Sequence, residues 1–299
     1  MKPSVAIILV NYNGLGDTLG CVESLRQIDY DNYKVFIVDN ASTEAPGLRD
    51  KEELLRDACI IFSDINLGFS GGNNLAIHRA MDENFDYILL LNNDTIVTPC
   101  FLCEMLATAQ SERNIGVVSG RIYYYYQRDH IWAAGGEYSN TTGLTIQYSG
   151  PDSPDFDKKR TVTFTSGCLM LISRKIIEKV GLLDETYFLY SEDTDYCQRI
   201  IAAGYKIVYC PTAKIYHKVS ASTGHHGFLQ QRYMMRNNLY IIQRYGINKP
   251  KAYFLISLQM AKHIIRKRRN LLPTIKGYID FGLGRQGKIQ RYCKRGYRI

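Results

Sequence analysis

Apolar positions in the first 120 residues fall into short unbroken runs separated by longer amphipathic stretches. Residues 5–10, 34–39, 59–62, 87–91 and 115–119 are too short for buried helices and lack a polar alternation. They predict strands covered on both faces. Helical spacing lies between them, over residues 16–27, 48–57 and from about 75 to 83. Strands alternating with helices predict βαβ units, hence an α/β fold with a doubly wound, mostly parallel sheet flanked by helices. Between residues 121 and 165 the pattern breaks into a run of four tyrosines, paired glycines and Thr/Gly turns, which predicts hairpins. The polar stretch 151–160 reads as a mobile surface loop. Helical spacing returns at 174–180 and 193–203, with a short strand expected at 206–209.

Composition narrows the classes. The chain has 299 residues, of which 45% are hydrophobic and 22% charged, as expected of a globular protein rather than a disordered one. No apolar run reaches 18 residues, so no spanning helix is expected. The start lacks a small-residue cleavage site and reads as no signal peptide. Of the eight cysteines only Cys100 and Cys103 form a Cys-x-x-Cys, and no second pair or nearby His completes a zinc site. Free thiols in a reducing, cytoplasmic compartment are expected.

Charge changes the picture at one end. Residues 262–299 hold twelve Lys/Arg and a single acid, Asp280, on a chain whose net charge is only +8. No nucleic-acid-binding module accompanies these cations, so no nucleic-acid partner is expected. Phe254, Leu258, Ala261 and Ile265 recur at helical spacing just before Arg266-Lys267-Arg268-Arg269. Apolar residues followed by cations fit the anionic inner face of a membrane, so peripheral association is expected. The expected division is an α/β domain over 1–245, with a nucleotide-binding half at 1–120 and an acceptor and catalytic half at 121–245. A basic helical extension follows at 246–299.

Candidate chemistry sits where strands end. In open α/β sheets ligands bind beyond the carboxyl ends of the strands. Asn11 follows the first strand, Asp39 the second, and Asn92-Asn93-Asp94 the fourth. A hard divalent cation such as Mg²⁺ needs oxygen ligands, and Asp94 stands where one is required. Asp39 can accept hydrogen bonds from a base N–H or ribose hydroxyls. The segment from Asn66 to Asn74 is glycine-rich; Gly71 and Gly72 admit close backbone approach to a ligand. A late acidic segment, Phe188 to Arg199, opens a helix with Glu192-Asp193.

Five segments in chain order, at residues 10–14, 38–43, 66–74, 92–95 and 188–199, closely resemble those of family 2 glycosyltransferases of the GT-A fold, above all the bacterial rhamnosyl- and galactofuranosyltransferase branch, over residues 3–245. The resemblance implies an inverting transferase that takes a nucleotide-sugar donor, with dTDP-rhamnose leading and UDP-hexose or UDP-galactofuranose as alternatives. It implies a saccharide or lipid-linked saccharide acceptor. Asn11, Asp39, Asn66, Gly71, Gly72, Asn92 and Asn93 fall to nucleotide binding, and Asp94 and His217 to a Mg²⁺ or Mn²⁺ cofactor. Asp193 is the implied general base, supported by Glu192. Trp132 is an expected acceptor platform and Gly167 part of the acceptor floor. The family's Asp-x-Asp is here Asn92-Asn93-Asp94, which leaves one firm carboxylate. Arg236, in Arg236-Asn237-Asn238, is expected to neutralise the leaving diphosphate or to form a salt bridge. A nucleotidyltransferase would want a basic loop near the N-terminus, and Asn11-Tyr12-Asn13-Gly14 has none. A non-catalytic nucleotide-sugar-binding protein would keep the pocket without Asp193.

Overall fold

A computed structural model describes residues 2–44, 47–219 and 227–289. Four parallel strands start the sheet: β1 (Val5–Asn11), β2 (Tyr33–Asp39), β3 (Ala58–Phe62) and β4 (Tyr87–Leu91), in the order β3-β2-β1-β4. Alternate residues of β1 enter different cores. Val5, Ile7 and Leu9 join the cluster under α1 (Leu15–Leu25) and α3 (Phe101–Gln110), while Ala6 and Ile8 join the other. That second cluster takes its helical residues from α2 (Gly68–Asp82), α4 (Arg174–Val180) and α5 (Glu192–Ala202). Burial on both faces is why β1 reads as an unbroken apolar run. Each fully buried aliphatic side chain contributes roughly 1.5–3 kcal/mol.

β5 (Thr95–Val97) and β6 (Ile115–Tyr124) extend the fold into its second half. Short strands follow: β7 (His130–Ala133), β8 (Gly136–Ser139), β9 (Leu144–Gln147), β10 (Gly150–Pro151) and β11 (Arg160–Val162). β12 (Leu169–Ser173) is inserted antiparallel between β4 and β6. β13 (Lys206–His217) runs parallel to β6 and antiparallel to β5 and β11.

Three expectations need correction. The segment 151–160 is not a mobile loop, because Arg121, 3% exposed, fastens it from below. Its guanidinium donates to Asp157 at 2.5 Å, to the Phe156 carbonyl at 2.7 Å and to Asp152 at 3.3 Å. β13 does not stop at Tyr209; a bulge around Pro211 carries the strand on to His217. Finally, α2 begins at Gly68 rather than near Leu75, so Gly71 and Gly72 are helical.

The C-terminal region forms three helices, α6 (Phe228–Tyr245), α7 (Lys249–Ile265) and α8 (Leu271–Gly282). Met235, Leu239 and Ile242 of α6 share one cluster with Ala252 and Ile256 of α7. α6 also packs along α8, where Gly277 meets the Met235 side chain and the Arg232 carbonyl. The cluster therefore crosses residue 245.

Candidate active site

Asn11 and Asp39 are register partners at the carboxyl ends of β1 and β2, so both face the same edge of the sheet. Asn11 accepts from Thr18 Oγ1 at 3.1 Å and the Gly14 amide at 3.2 Å, and donates to Ser42 Oγ at 3.0 Å. Asp39 accepts from the Ser42 amide at 3.0 Å, the turn that an Asp at a strand end favours. A cleft of about 520 Å³ opens beside Asn11, lined also by Asn13, Asp17, Ser42 and Lys218 among others. Lys218 pairs with Asp17 at 2.8 Å. Residue patterns alone did not single out Lys218 or Thr18; only the fold brings them to this edge.

Beyond β4 the chain turns at Asn92-Asn93-Asp94. Asn93 donates to Thr18 Oγ1 at 2.9 Å, so Asn93, Thr18 and Asn11 form one chain of hydrogen bonds tying β4 to β1. The Asp94 carboxylate lies 3.0 Å from His217 Nε2, and the Asn92 amide nitrogen lies 3.4 Å from the same ring atom. The register of β13 against β5 places His217 opposite Thr95 and hence beside Asp94. His217 is 5% exposed and its Nδ1 is buried without a hydrogen-bond partner. Burial opposes the ring's positive charge, but Cys168 and Asp94 outweigh it and raise the imidazole pKa to about 10. Trp132 of β7 meets the His217 ring edge-on at 4.5 Å, so one of its contacts is to the histidine. His225 and His226 lie outside the described residues.

The glycine-rich segment builds packing. Asn40 donates to the Gly68 carbonyl at 2.9 Å and accepts from the Leu67 amide at 2.8 Å, while Asn66 accepts from the Gly68 amide at 2.8 Å. A Cβ at Gly72 would come within 2.9 Å of Val10, so this glycine lets α2 lie close on β1. Helix–strand contact therefore requires a glycine at position 72. A Cβ at Gly71 would come within 2.8 Å of the Cβ of Leu67, the residue just before α2.

Glu192 and Asp193 open α5, whose preceding residue Ser191 is left-handed at φ 73°. Asp193 accepts from the Thr194 amide at 2.7 Å and the Gly167 amide at 3.3 Å. Burial raises its pKa from 3.8 to about 6 against those bonds, which favour the charged form. Glu192 is 5% exposed, one of its carboxyl oxygens has no partner, and burial with the neighbouring Asp193 charge raises its pKa well above the usual range. Asp195 is structural: it binds Tyr245 Oη at 2.6 Å, Arg199 at 2.8 Å and Arg244 at 2.9 Å. The two acidic centres share a support. Gly167 holds Asp193, and the carbonyl of the next residue, Cys168, accepts from the Asn92 amide at 3.0 Å.

Arg236 does not face this edge. It is fully buried and donates to the Tyr187 and Gly287 carbonyls at 3.1 and 2.9 Å.

As for a metal, Asp94 and His217 converge on one point with a carboxylate and an imidazole, both ligands for divalent ions of the first transition row once the ion displaces the proton His217 shares with Asp94. Among the described residues no set of three His, Cys, Asp or Glu converges in this way. Two protein donors suffice where substrate phosphates complete the shell.

The glycosyl transferase family 2 model matches residues 6–181. The hexosyltransferase Agl10 of low-salt glycan biosynthesis in Haloferax volcanii is 25% identical, over 97% of this chain and 95% of that protein. The dTDP-rhamnosyl transferase RfbF of Shigella flexneri is 22% identical over 73% of this chain and 70% of its own. Against a 29% identical protein of Sinorhizobium fredii, the chain spans 27% of the relative's length. In fold, the chain matches the structure of GalNAc-T7 with UDP, GalNAc and Mn²⁺ at a TM-score of 0.67 and 14% identity, over 83% of this chain and 49% of that one. The architecture is GT-A, and the chain belongs to glycosyl transferase family 2, with rhamnosyl- and galactofuranosyltransferases among its relatives.

Proposed function

We propose that this enzyme transfers a sugar, with inversion, from a nucleotide-diphosphate donor to a saccharide acceptor on a lipid carrier during surface polysaccharide synthesis. The observation that carries the reading is the shared support of Asp193 and Asp94 through Gly167, Cys168 and Asn92. Asp193 takes the acceptor hydroxyl's proton as that oxygen bonds to the anomeric carbon, opposite the departing nucleoside diphosphate. Burial and the Asp193 charge beside it push the Glu192 carboxyl toward its neutral form. Asn11 and Asp39 border the nucleoside, and Lys218 supplies positive charge near the diphosphate. Asp94 and His217 would hold Mg²⁺ or Mn²⁺, which supplies Lewis acidity to the diphosphate oxygens. The named rhamnosyltransferase relatives favour dTDP-rhamnose as donor.

The acceptor's lipid fits a membrane-facing surface on α7 and α8. Residues 249–289 carry ten Lys/Arg and one acid, Asp280, which is buried between Arg232 and Arg285. Leu271, Leu272, Ile275 and Ile279 stand exposed along α8, and Leu283 just after it. Among the described residues no helix is long and apolar enough to cross a membrane; the proposed contact is of the interfacial, peripheral kind.

Thermal-shift titration with UDP-, dTDP- and GDP-sugars, with and without Mg²⁺ or Mn²⁺, tests the donor site. A ligand that binds only the folded chain raises its melting temperature. One nucleotide should give a metal-dependent rise that Asp94→Ala removes. Absence of any rise across the panel would contradict the site and favour a non-catalytic role.

A further inference from the structure

The residues just before Asp193 form a loop that its own sequence does not stabilise. Phe188, Tyr190 and Ser191 all have positive φ, at 63°, 69° and 73°. Left-handed backbone costs roughly 1–2 kcal/mol per non-glycine residue, so contacts from elsewhere must impose it. Those contacts are unusually complete. Five consecutive carbonyls, from Thr186 to Tyr190, each accept a hydrogen bond from a distant part of the chain.

Thr186 accepts from the Gly287 amide at 2.6 Å, beyond α8. Tyr187 accepts from Arg236 at 3.1 Å and Asn237 at 3.0 Å. Phe188 accepts from the Phe69 amide at 2.8 Å, at the start of α2. Leu189 and Tyr190 accept from the same Asn237 amide group at 2.9 and 2.7 Å. Arg236 in turn holds Asn237 Oδ1 at 2.9 Å, and the Ser191 hydroxyl donates to Asn238 at 3.2 Å. Arg236 and Asn237 are both fully buried. A buried guanidinium that makes no salt bridge among the described residues is expensive, and its hydrogen bonds to carbonyls are what offset that expense.

We infer that Arg236, Asn237 and Asn238 are positioning residues: they fix the 186–191 loop so that Asp193 enters α5 aimed at the acceptor. The inference rests on the assignment of Asp193 as base. It makes α6, and the chain beyond α8 as far as Gly287, part of the catalytic support. It also replaces the expected contact of Arg236 with the leaving diphosphate. A misplacement of about 1 Å can reduce turnover 10²-fold.

Nucleoside diphosphate release is measured from dTDP-rhamnose, UDP-glucose, UDP-galactofuranose and GDP-mannose with Mn²⁺, together with each donor's thermal shift. Asn237→Ala should lower kcat about 10²-fold and leave the donor's thermal shift within error of the parent. Asn238→Ala should lower kcat about tenfold, and Asn238→Asp, which keeps the acceptor for Ser191, should restore it. Amide exchange should quicken over residues 186–195 in both alanine variants. If Asn237→Ala does not fold, the two Asn238 variants decide. Alanine variants turning over within twofold of the parent, beside an inactive Asp193→Asn, would overturn the inference. So would equal losses of kcat and donor thermal shift, which mark general damage. An active Asp193→Asn would instead remove the base assignment beneath it.

Discussion

Asp193 sits between two opposed influences, burial that favours its neutral form and two amide donors that favour its charge. Burial wins, and the consequence has a definite sign. A base works only when deprotonated, so kcat/KM should rise with pH through about 6 and then level off. Stability should move the other way. Between 3.8 and about 6 the folded chain keeps a proton that the unfolded chain has released, so the free energy of unfolding falls as pH rises through that window. Urea denaturation at several pH values checks this, and Asp193→Asn should flatten the slope; an unchanged slope in that variant would contradict it. Asp94, Asp193 and Asp39 were legible in the sequence because carboxylates at strand ends and helix starts form short motifs. Thr18, Lys218 and the Asn237 amide were not, because each acts on residues that only the folded sheet and helices bring near.

Elements were legible where one local force dominates. The five early strands read correctly because burial on both faces leaves an unbroken apolar run. The start of α2 did not, since Gly68, Gly71 and Gly72 are poor helix formers and look like a turn. Their reason is tertiary. Gly68 has φ 73°, and a Cβ there would lie 2.1 Å from the Phe188 carbonyl oxygen. Gly68→Ala should therefore destabilise the protein by at least about 2 kcal/mol, measured by urea or thermal denaturation. A loss below 0.5 kcal/mol, typical of neutral surface changes, would show that α2 and the 186–191 loop are not held as described. The end of β13 was hidden for a related reason: Pro211 reads as a stop, yet the bulge absorbs it and delivers His217 to Asp94.

Under the proposed function the whole molecule joins a donor edge, a base and a basic helical face. Co-sedimentation with vesicles should show binding to phosphatidylglycerol-rich membranes, little to neutral ones, and loss at high salt. Leu271→Glu with Ile275→Glu should weaken that binding at least tenfold while leaving the donor's thermal shift intact; equal binding to neutral vesicles would contradict a charge-led contact. The proposed function depends above all on Asp193 performing the proton transfer of glycosyl transfer. Its most direct test is steady-state turnover of Asp193→Asn against the parent, with folding and donor-induced thermal shift measured on the same samples. The expected kcat is lower by about 10²- to 10⁴-fold, on the order of what positioned base catalysis supplies, with donor binding retained. Turnover within a few-fold of the parent would contradict it.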